Sequence, residues 1–575
     1  MADGGLPVAV AERPLAGRGR GGLLNTLFLY AVVGVAVFPI AYLVFASFNI
    51  APPGSPFRFG LDAWDGLFDS PSVARAIRLS FTLSLRTFIA FAIAFTLAWA
   101  LARLPIAGRR FIETSLWFAF FLPAVPVATA WVLLLHENYG LINKAIALIP
   151  GMPQHVFSIQ SIPGIMWVYI SVSTVPFLTI TLGPAIRQMD ATFEEAARVA
   201  GATGGVTARR VTLPMLMPAI VVSVMAIYIK SLESFEVEQL IGTPVRLFVF
   251  TTKIYDLVRQ SPPQITAAMA LGSLFLTVTG ALAFLQVLYM RRRPPPVTVR
   301  AQSFRSQHAA RKGLLRLASA AILLYFAVTL YLPVATLAVG SFNKIFGFFQ
   351  IADPWTLEHW QKIVSDGRFL RAARNSALLG VGVSLIALPI YFRMAWILSR
   401  TKVRGRFAAT LLLWLPWAVP GFLFGLALLD LMLRNDLFGP LYGTFAPVII
   451  ALLIRELPIG VHLLKTGLDQ IGTDLEEAAC VYGARPFTIF RRVTLPLVSG
   501  TIGAVAVVIF AAAVREISTI VLVAGPGTET MSLLMFDYAS SGHAEQAAVI
   551  GVLFAGLAML LALGVNRRIL PAGLR

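Results

Sequence analysis

The sequence predicts an all-α polytopic membrane protein, with about twelve transmembrane helices in two parallel six-helix repeats. Three observations carry this. The 575 residues are 57% hydrophobic and 13% charged, against roughly 25% charged in soluble domains. Apolar runs of about 20 residues, the length that crosses a bilayer core, recur along the chain. Short motifs of the first half return in the second at an offset near half the chain.

The composition also excludes classes. Lys and Arg number 47 against 28 Asp and Glu, a net charge of +19. That excess sits in short runs between apolar spans, as in loops on the positive side of a membrane, and does not argue for nucleic acid. One cysteine, Cys480, leaves no internal disulfide and no cysteine zinc cluster.

The elements follow in order. Residues 1–22 are polar and rich in Gly and Arg, unlike a secretory signal, and read as a cytoplasmic tail. The first transmembrane half, residues 23–290, holds spans at about 25–47, 77–102, 111–135, 160–183, 214–232 and 267–290. A linker at 291–313, with Pro294-Pro295-Pro296 and a dense basic run, reads as a cytoplasmic tether. The second half, 314–575, holds spans at about 314–340, 373–398, 407–433, 444–466, 497–523 and 545–567. Lys and Arg concentrate after every second span, so both termini are expected in the cytoplasm. Pro176 and Pro458 predict matched kinks in spans four and ten. Leu122-Pro123-Ala124-Val125-Pro126 and Leu415-Pro416-Trp417-Ala418-Val419-Pro420 predict matched distortions in spans three and nine. Trp64, Trp355 and Trp360 read as interface anchors.

The repeat includes Ser47-Phe48-Asn49 with Ser341-Phe342-Asn343, and Leu61-Asp62-Ala63-Trp64 with Leu357-Glu358-His359-Trp360. Most telling are the loops after spans four and ten. One reads Glu194-Glu195-Ala196-Ala197-Arg198-Val199-Ala200-Gly201, nine residues, then Val211-Thr212-Leu213-Pro214. The other reads Glu476-Glu477-Ala478-Ala479-Cys480-Val481-Tyr482-Gly483, nine residues, then Val493-Thr494-Leu495-Pro496. Thr192 with Glu195 predicts a capping box, and Asp474 with Glu477 a similar cap. Paired alanines leave a shallow surface for a partner's groove. Gly201 and Gly483 predict left-handed helix ends, and Pro214 and Pro496 suit the start of the next helix.

These two loops resemble the EAA loop of type I, binding-protein-dependent ABC importer permeases. The resemblance implies that Glu195, Ala196, Ala197 and Gly201, with Glu477, Ala478, Ala479 and Gly483, couple the chain to two copies of an ATPase subunit. It also implies a solute-binding protein docking from outside, and residence in the bacterial inner membrane. ATP and Mg would belong to the ATPase partner: this chain has no G-x-x-x-x-G-K-[ST] stretch, and Gly201-Ala202-Thr203-Gly204-Gly205 lacks the lysine. No catalytic residues and no cofactor are expected in this chain, and its six histidines show no zinc-ligand spacing. His462 reads as a packing or hydrogen-bonding residue.

Charges inside spans are costly and mark candidate pathways. Lys230, Glu233, Ser234 and Glu236 lie late in span five, and Arg515 and Glu516 late in span eleven. They either flank the substrate path or neutralise one another locally. Arg455 and Glu456 read as boundary residues that meet water. Fusion of two six-span halves, with Ser231–Glu236 and Val514–Thr530, is similar to iron(III) importer permeases, and hard Fe(III) suits carboxylate oxygen. Relatives for thiamine, polyamines and phosphonates share much of the pattern, and Lys230 and Arg515 equally suit an anion. The rival class is an ion-coupled secondary transporter of the major facilitator type, also six plus six spans. Its signature loop follows span two and carries an acid, whereas Arg103–Arg110 has none.

Overall fold

The computed structural model describes residues 20–51, 55–153, 155–190, 192–291 and 312–569. Most of the tail and of the linker lie outside these. The longer helices are α1 (Arg20–Ala46), α2 (Pro71–Arg103), α3 (Arg109–Phe121), α4 (Ala124–Leu135), α5 (Ile162–Gln188), α6 (Thr192–Val199), α7 (Gly204–Leu232), α8 (Phe250–Arg259) and α9 (Ile265–Arg291). The second half gives α10 (Lys312–Gly340), α11 (Gly367–Arg400), α12 (Arg406–Trp414), α13 (Gly421–Arg434), α14 (Ala446–Asp469), α15 (Asp474–Val481), α16 (Pro486–Arg515), α17 (Met531–Ser540) and α18 (Ala544–Ile569). Among the described residues there is no strand, only isolated bridges joining Asn49 to Phe59 and Asn343 to Trp355.

Among the described residues, ten helices are long and apolar enough to cross a membrane. Spans three and nine are broken: α3 and α4 meet at 101°, and the Arg406–Trp417 helix meets α13 at 91°. Pro123 and Pro420 fall at these breaks, where a residue without an N–H cannot continue the ladder. Each bent pair still makes one crossing. The ends of α2 and α5 share a face, because Arg103 Nη2 donates to the Met189 carbonyl at 2.9 Å. The chain therefore starts α3 on that face and starts α5 on the other. Arg400 repeats the argument in the second half, donating to the carbonyls of Leu468 at 3.0 Å and Ile471 at 2.9 Å.

Proline also governs the winding. Wide π turns at Ile170–Thr174, Ala208–Thr212, Glu238–Gly242, Ala327–Tyr331 and Phe490–Thr494 each end two residues before a proline: Pro176, Pro214, Pro244, Pro333 and Pro496. Looser winding there accommodates the missing donor and the ring that crowds the preceding turn. The expected kink pair is thus only half matched: Pro176 follows a wide turn, whereas Pro458 sits inside the uninterrupted α14. Span eleven also ends earlier than expected, since α16 stops at Arg515.

The halves interlock. Within each, span two packs on span four, α2 on α5 and α11 on α14. Between them, α1 packs on α12 and α13, while α10 and α18 pack on α3 and α4. Asp430, fully buried in α13, accepts from Arg434 Nε at 2.7 Å and from the Tyr42 hydroxyl of α1 at 2.9 Å. The paired sequence motifs meet in space too: Phe48 stacks on Trp64 at 5.7 Å and Phe342 on Trp360 at 5.6 Å. Exposed Leu and Phe side chains on α1, α10 and α11, such as Leu27, Phe45, Leu317 and Leu385, make the lipid-facing surface.

Candidate functional site

The two Glu-Ala-Ala stretches form the short helices α6 and α15. In both, the first glutamate is buried, while the second and the first alanine are exposed. Glu195, Ala196, Glu477 and Ala478 therefore face outward, and Ala197 and Ala479 are half-buried. Gly201 and Gly483 have φ of +82° and +75°. Each closes its helix with two bonds. Gly201 N–H donates to Arg198 O and Ala202 N–H to Ala197 O, both at 2.9 Å. Gly483 N–H donates to Cys480 O and Ala484 N–H to Ala479 O, both at 3.0 Å. This is the Schellman ending, which places its terminal residue in the left-handed region that glycine tolerates.

The expected caps are corrected. Thr192 is the first helical residue, its N–H taken by the Asp190 carboxylate at 2.9 Å. In the second copy the cap is Thr473, with no side-chain bond. The acid that matters structurally is the neighbour that sequence reasoning passed over. Glu194 and Glu476 are 2% and 4% exposed. Glu194 accepts from Thr212 Oγ1 at 2.8 Å and faces Arg103 Nε at 3.5 Å. Glu476 accepts from Thr494 Oγ1 at 3.0 Å and faces Arg400 Nε at 3.2 Å. The equal 18-residue spacing from Glu to Thr was the available signal. The tips beyond are apolar and open, with Val199 90%, Val481 86% and Tyr482 91% exposed.

The second candidate site lies where α7 and α16 end. Lys230 pairs with Glu233, and its ammonium stands 5.1 Å over the Trp417 ring of the other half. Arg455 pairs with Glu516, whose Oε1 also accepts from Thr519 N–H at 2.9 Å and Thr519 Oγ1 at 2.8 Å. Arg455 therefore does not lie at a boundary: it is half-buried midway along α14 with its acid partner. Arg515 donates to the Phe120 carbonyl of the first half. The clusters act on each other, since Arg455 feels Glu233 and Glu236, and Lys230 feels Glu456. Partly buried Glu236 and Glu456 have no hydrogen-bonded or ion-paired partner among the described residues. No three His, Cys, Asp or Glu side chains among the described residues are grouped to hold a metal ion.

Ser234 belongs to a separate network that sequence reasoning missed. Fully buried Glu238 accepts from the Ser234 hydroxyl at 2.5 Å and the Tyr169 hydroxyl at 2.7 Å, and faces Arg86 Nη1 at 3.4 Å. Arg86 lies 3.9 Å over the Tyr169 ring and donates to Ser234 Oγ at 3.0 Å. It sits 17 residues from the end of α2, roughly 25 Å at the helical rise. The break after α7 is therefore held deep inside the protein. His462 packs edge-on against Trp414 at 5.6 Å.

Residues 387–572 match the family described as binding-protein-dependent transport system inner membrane component. The chain is 23% identical over 492 residues to the Fe(3+)-transport system permease protein FbpB 2 of Haemophilus influenzae, covering 83% of this chain and 86% of that one. It is 26% identical to the probable ABC transporter permease protein y4fN of Sinorhizobium fredii, covering 80% of each. The sulfate transport system permease protein CysT of Salmonella typhimurium is 25% identical over 42% of this chain. A bacterial alginate importer of known structure is 25% identical over 48% of the chain, with a TM-score of 0.41. The second half thus carries a binding-protein-dependent transport system inner membrane component, and along most of its length the chain is similar to ABC importer permeases.

Proposed function

We propose that this chain is the permease of an ATP-driven ferric iron importer in the bacterial inner membrane, with both transmembrane halves in one chain. The observation that carries the coupling is the pair α6 and α15. Both are short helices with the same buried anchor, the same exposed acid and alanine, and an open apolar tip. Such a pair suits two copies of an ATPase subunit on the cytoplasmic side, which would bind ATP and Mg. Closure of the ATPases would push both helices and rock the halves between inward-open and outward-open states. A solute-binding protein would deliver cargo from outside, and both chain termini would be cytoplasmic.

Iron is supported by the relative named for Fe(3+) that aligns along most of the chain. The unpartnered carboxylates of Glu236 and Glu456 give a hard cation oxygen ligands. A site that passes cargo on must hold it weakly enough to release it, so a tight cage is not required. The test is uptake by proteoliposomes holding the chain with its ATPase, given radiolabelled ferric iron or sulfate on its binding protein. ATP-dependent ferric uptake is expected. Uptake of sulfate alone would favour the second reading, an oxyanion importer, for which Arg515, in no ion pair among the described residues, and the sulfate relative speak. Uptake driven by an ion gradient without ATP would overturn both.

A further inference from the structure

Glu194 and Glu476 are buried acids to which the coupling reading assigns no role, yet each sits in the same four-way junction. In the first half Glu194 of α6 meets Arg103 at the end of α2 and Thr212 of α7, while Arg103 also holds the Met189 carbonyl just beyond α5. In the second half Glu476 of α15 meets Arg400 at the end of α11 and Thr494 of α16, while Arg400 also holds the Ile471 carbonyl just beyond α14. Arg103 precedes Glu194 by 91 residues and Arg400 precedes Glu476 by 76. The junction is thus reproduced although the intervening chain differs in length, so it is not a by-product of local spacing.

The chemistry is that of a rigid joint. A carboxylate has two oxygens, and here one takes the threonine hydroxyl while the other faces the guanidinium. The planar guanidinium fork has further donors for the backbone carbonyl. The threonine-to-carboxylate and guanidinium-to-carbonyl bonds are charge-assisted, stronger and more directional than neutral ones, while arginine and glutamate face each other as an ion pair without a hydrogen bond. Glu194, Arg103 and Thr212 are 2%, 8% and 2% exposed, so water does not compete for them.

We infer that the Arg–Glu–Thr junctions are the force-bearing joints of the permease. Each fastens its short helix to spans two, four and five of its own half, so that a push on the helix moves three spans as one body. Glu194 and Glu476 are positioning residues: they touch neither cargo nor nucleotide. Transmission of an ATPase's push rests on the importer reading above; the fastening itself does not.

The test has two arms. In the purified full chain, Glu194→Gln should make the amides of 194–200 exchange about tenfold faster, as local opening becomes easier, with α5 unchanged. In proteoliposomes with the ATPase, the same variant should keep ATP hydrolysis but lose about tenfold in cargo moved per ATP, within the usual range of a coupling free energy. Thr212→Val should behave likewise, and Thr212→Ser, which keeps the hydroxyl, should be near wild type. Unchanged exchange would overturn the joint. So would transport and hydrolysis falling in parallel with the amount of folded complex, which marks a merely structural residue. If the wild-type chain recruits no ATPase, the importer reading fails while the exchange arm still decides the joint.

Discussion

Arg515 of the second half donates to the backbone carbonyl of Phe120 in the first half, and its guanidinium lies 5.2 Å over the Phe120 ring. Phe120 sits just before the break at Pro123. Trp417 holds the same place before Pro420, and Lys230 stands over it. Each broken span is therefore touched by a cation from the fifth span of the other half. The contact separates two contributions. Phe120→Ala keeps the carbonyl acceptor and loses the ring, so it should cost about 0.5–2 kcal/mol. Arg515→Gln should cost more, since it also removes a charged donor worth about 1.5–3 kcal/mol. Thermal unfolding in detergent checks the order; equal losses would mean the bond to the carbonyl contributes nothing.

Glu233 and Glu516 are the acids that sequence position marks as path residues, and both are paired. Removing the charge of either leaves half-buried Lys230 or Arg455 without its partner. Glu233→Gln and Glu516→Gln should each destabilise by about 3–5 kcal/mol. Glu236→Gln and Glu456→Gln break no pair and should leave the unfolding temperature within a few degrees, while lowering ferric uptake per assembled complex. Full uptake in both of the latter variants would remove these carboxylates from the path.

Gly201 and Gly483 test the helix endings. No atom lies within 4 Å of a Cβ added at either position, so only the positive φ resists a side chain. Gly201→Val should strain the ending by about 1–2 kcal/mol and impair coupling, whereas Gly201→Asn should be tolerated, since asparagine visits this region. Insertion and yield are expected to stay normal. Equal activity of the Val and Asn variants would show that the left-handed ending does not matter.

Glu238 and Glu113 offer a contrast of burial. Arg86 and Glu238 are 1% and 0% exposed, Arg109 and Glu113 39% and 20%. Glu238→Gln should cost about 3–5 kcal/mol, while Glu113→Gln should stay within about 1 kcal/mol because solvent screens the pair. Comparable losses would indicate that the break after α7 is not held by this ion pair.

What the sequence determined by itself is whatever depends on local pattern. Apolar run length gives the spans, because a bilayer sets one length for all of them. The Glu-Ala-Ala stretch, its glycine and the later proline lie within about twenty residues, so their spacing alone exposes the short helix and its left-handed end. Proline likewise announces the breaks at Pro123 and Pro420, since a missing donor acts wherever it stands.

Only the tertiary structure decided which charges are neutralised and which are free. Glu233 pairs with Lys230 three residues before it, a helical spacing visible in sequence, but nothing in sequence shows that Glu236 has no partner among the described residues. Arg455 reads as a boundary residue until α16 brings Glu516 to it. Glu194 looks like the twin of Glu195 until Arg103, 91 residues earlier, arrives beside it. A charge carries no record in sequence of what will face it. For Arg455 and Glu194 the helix that supplies the partner is distant along the chain, and the burial that makes the pairing matter exists only once the helices have packed.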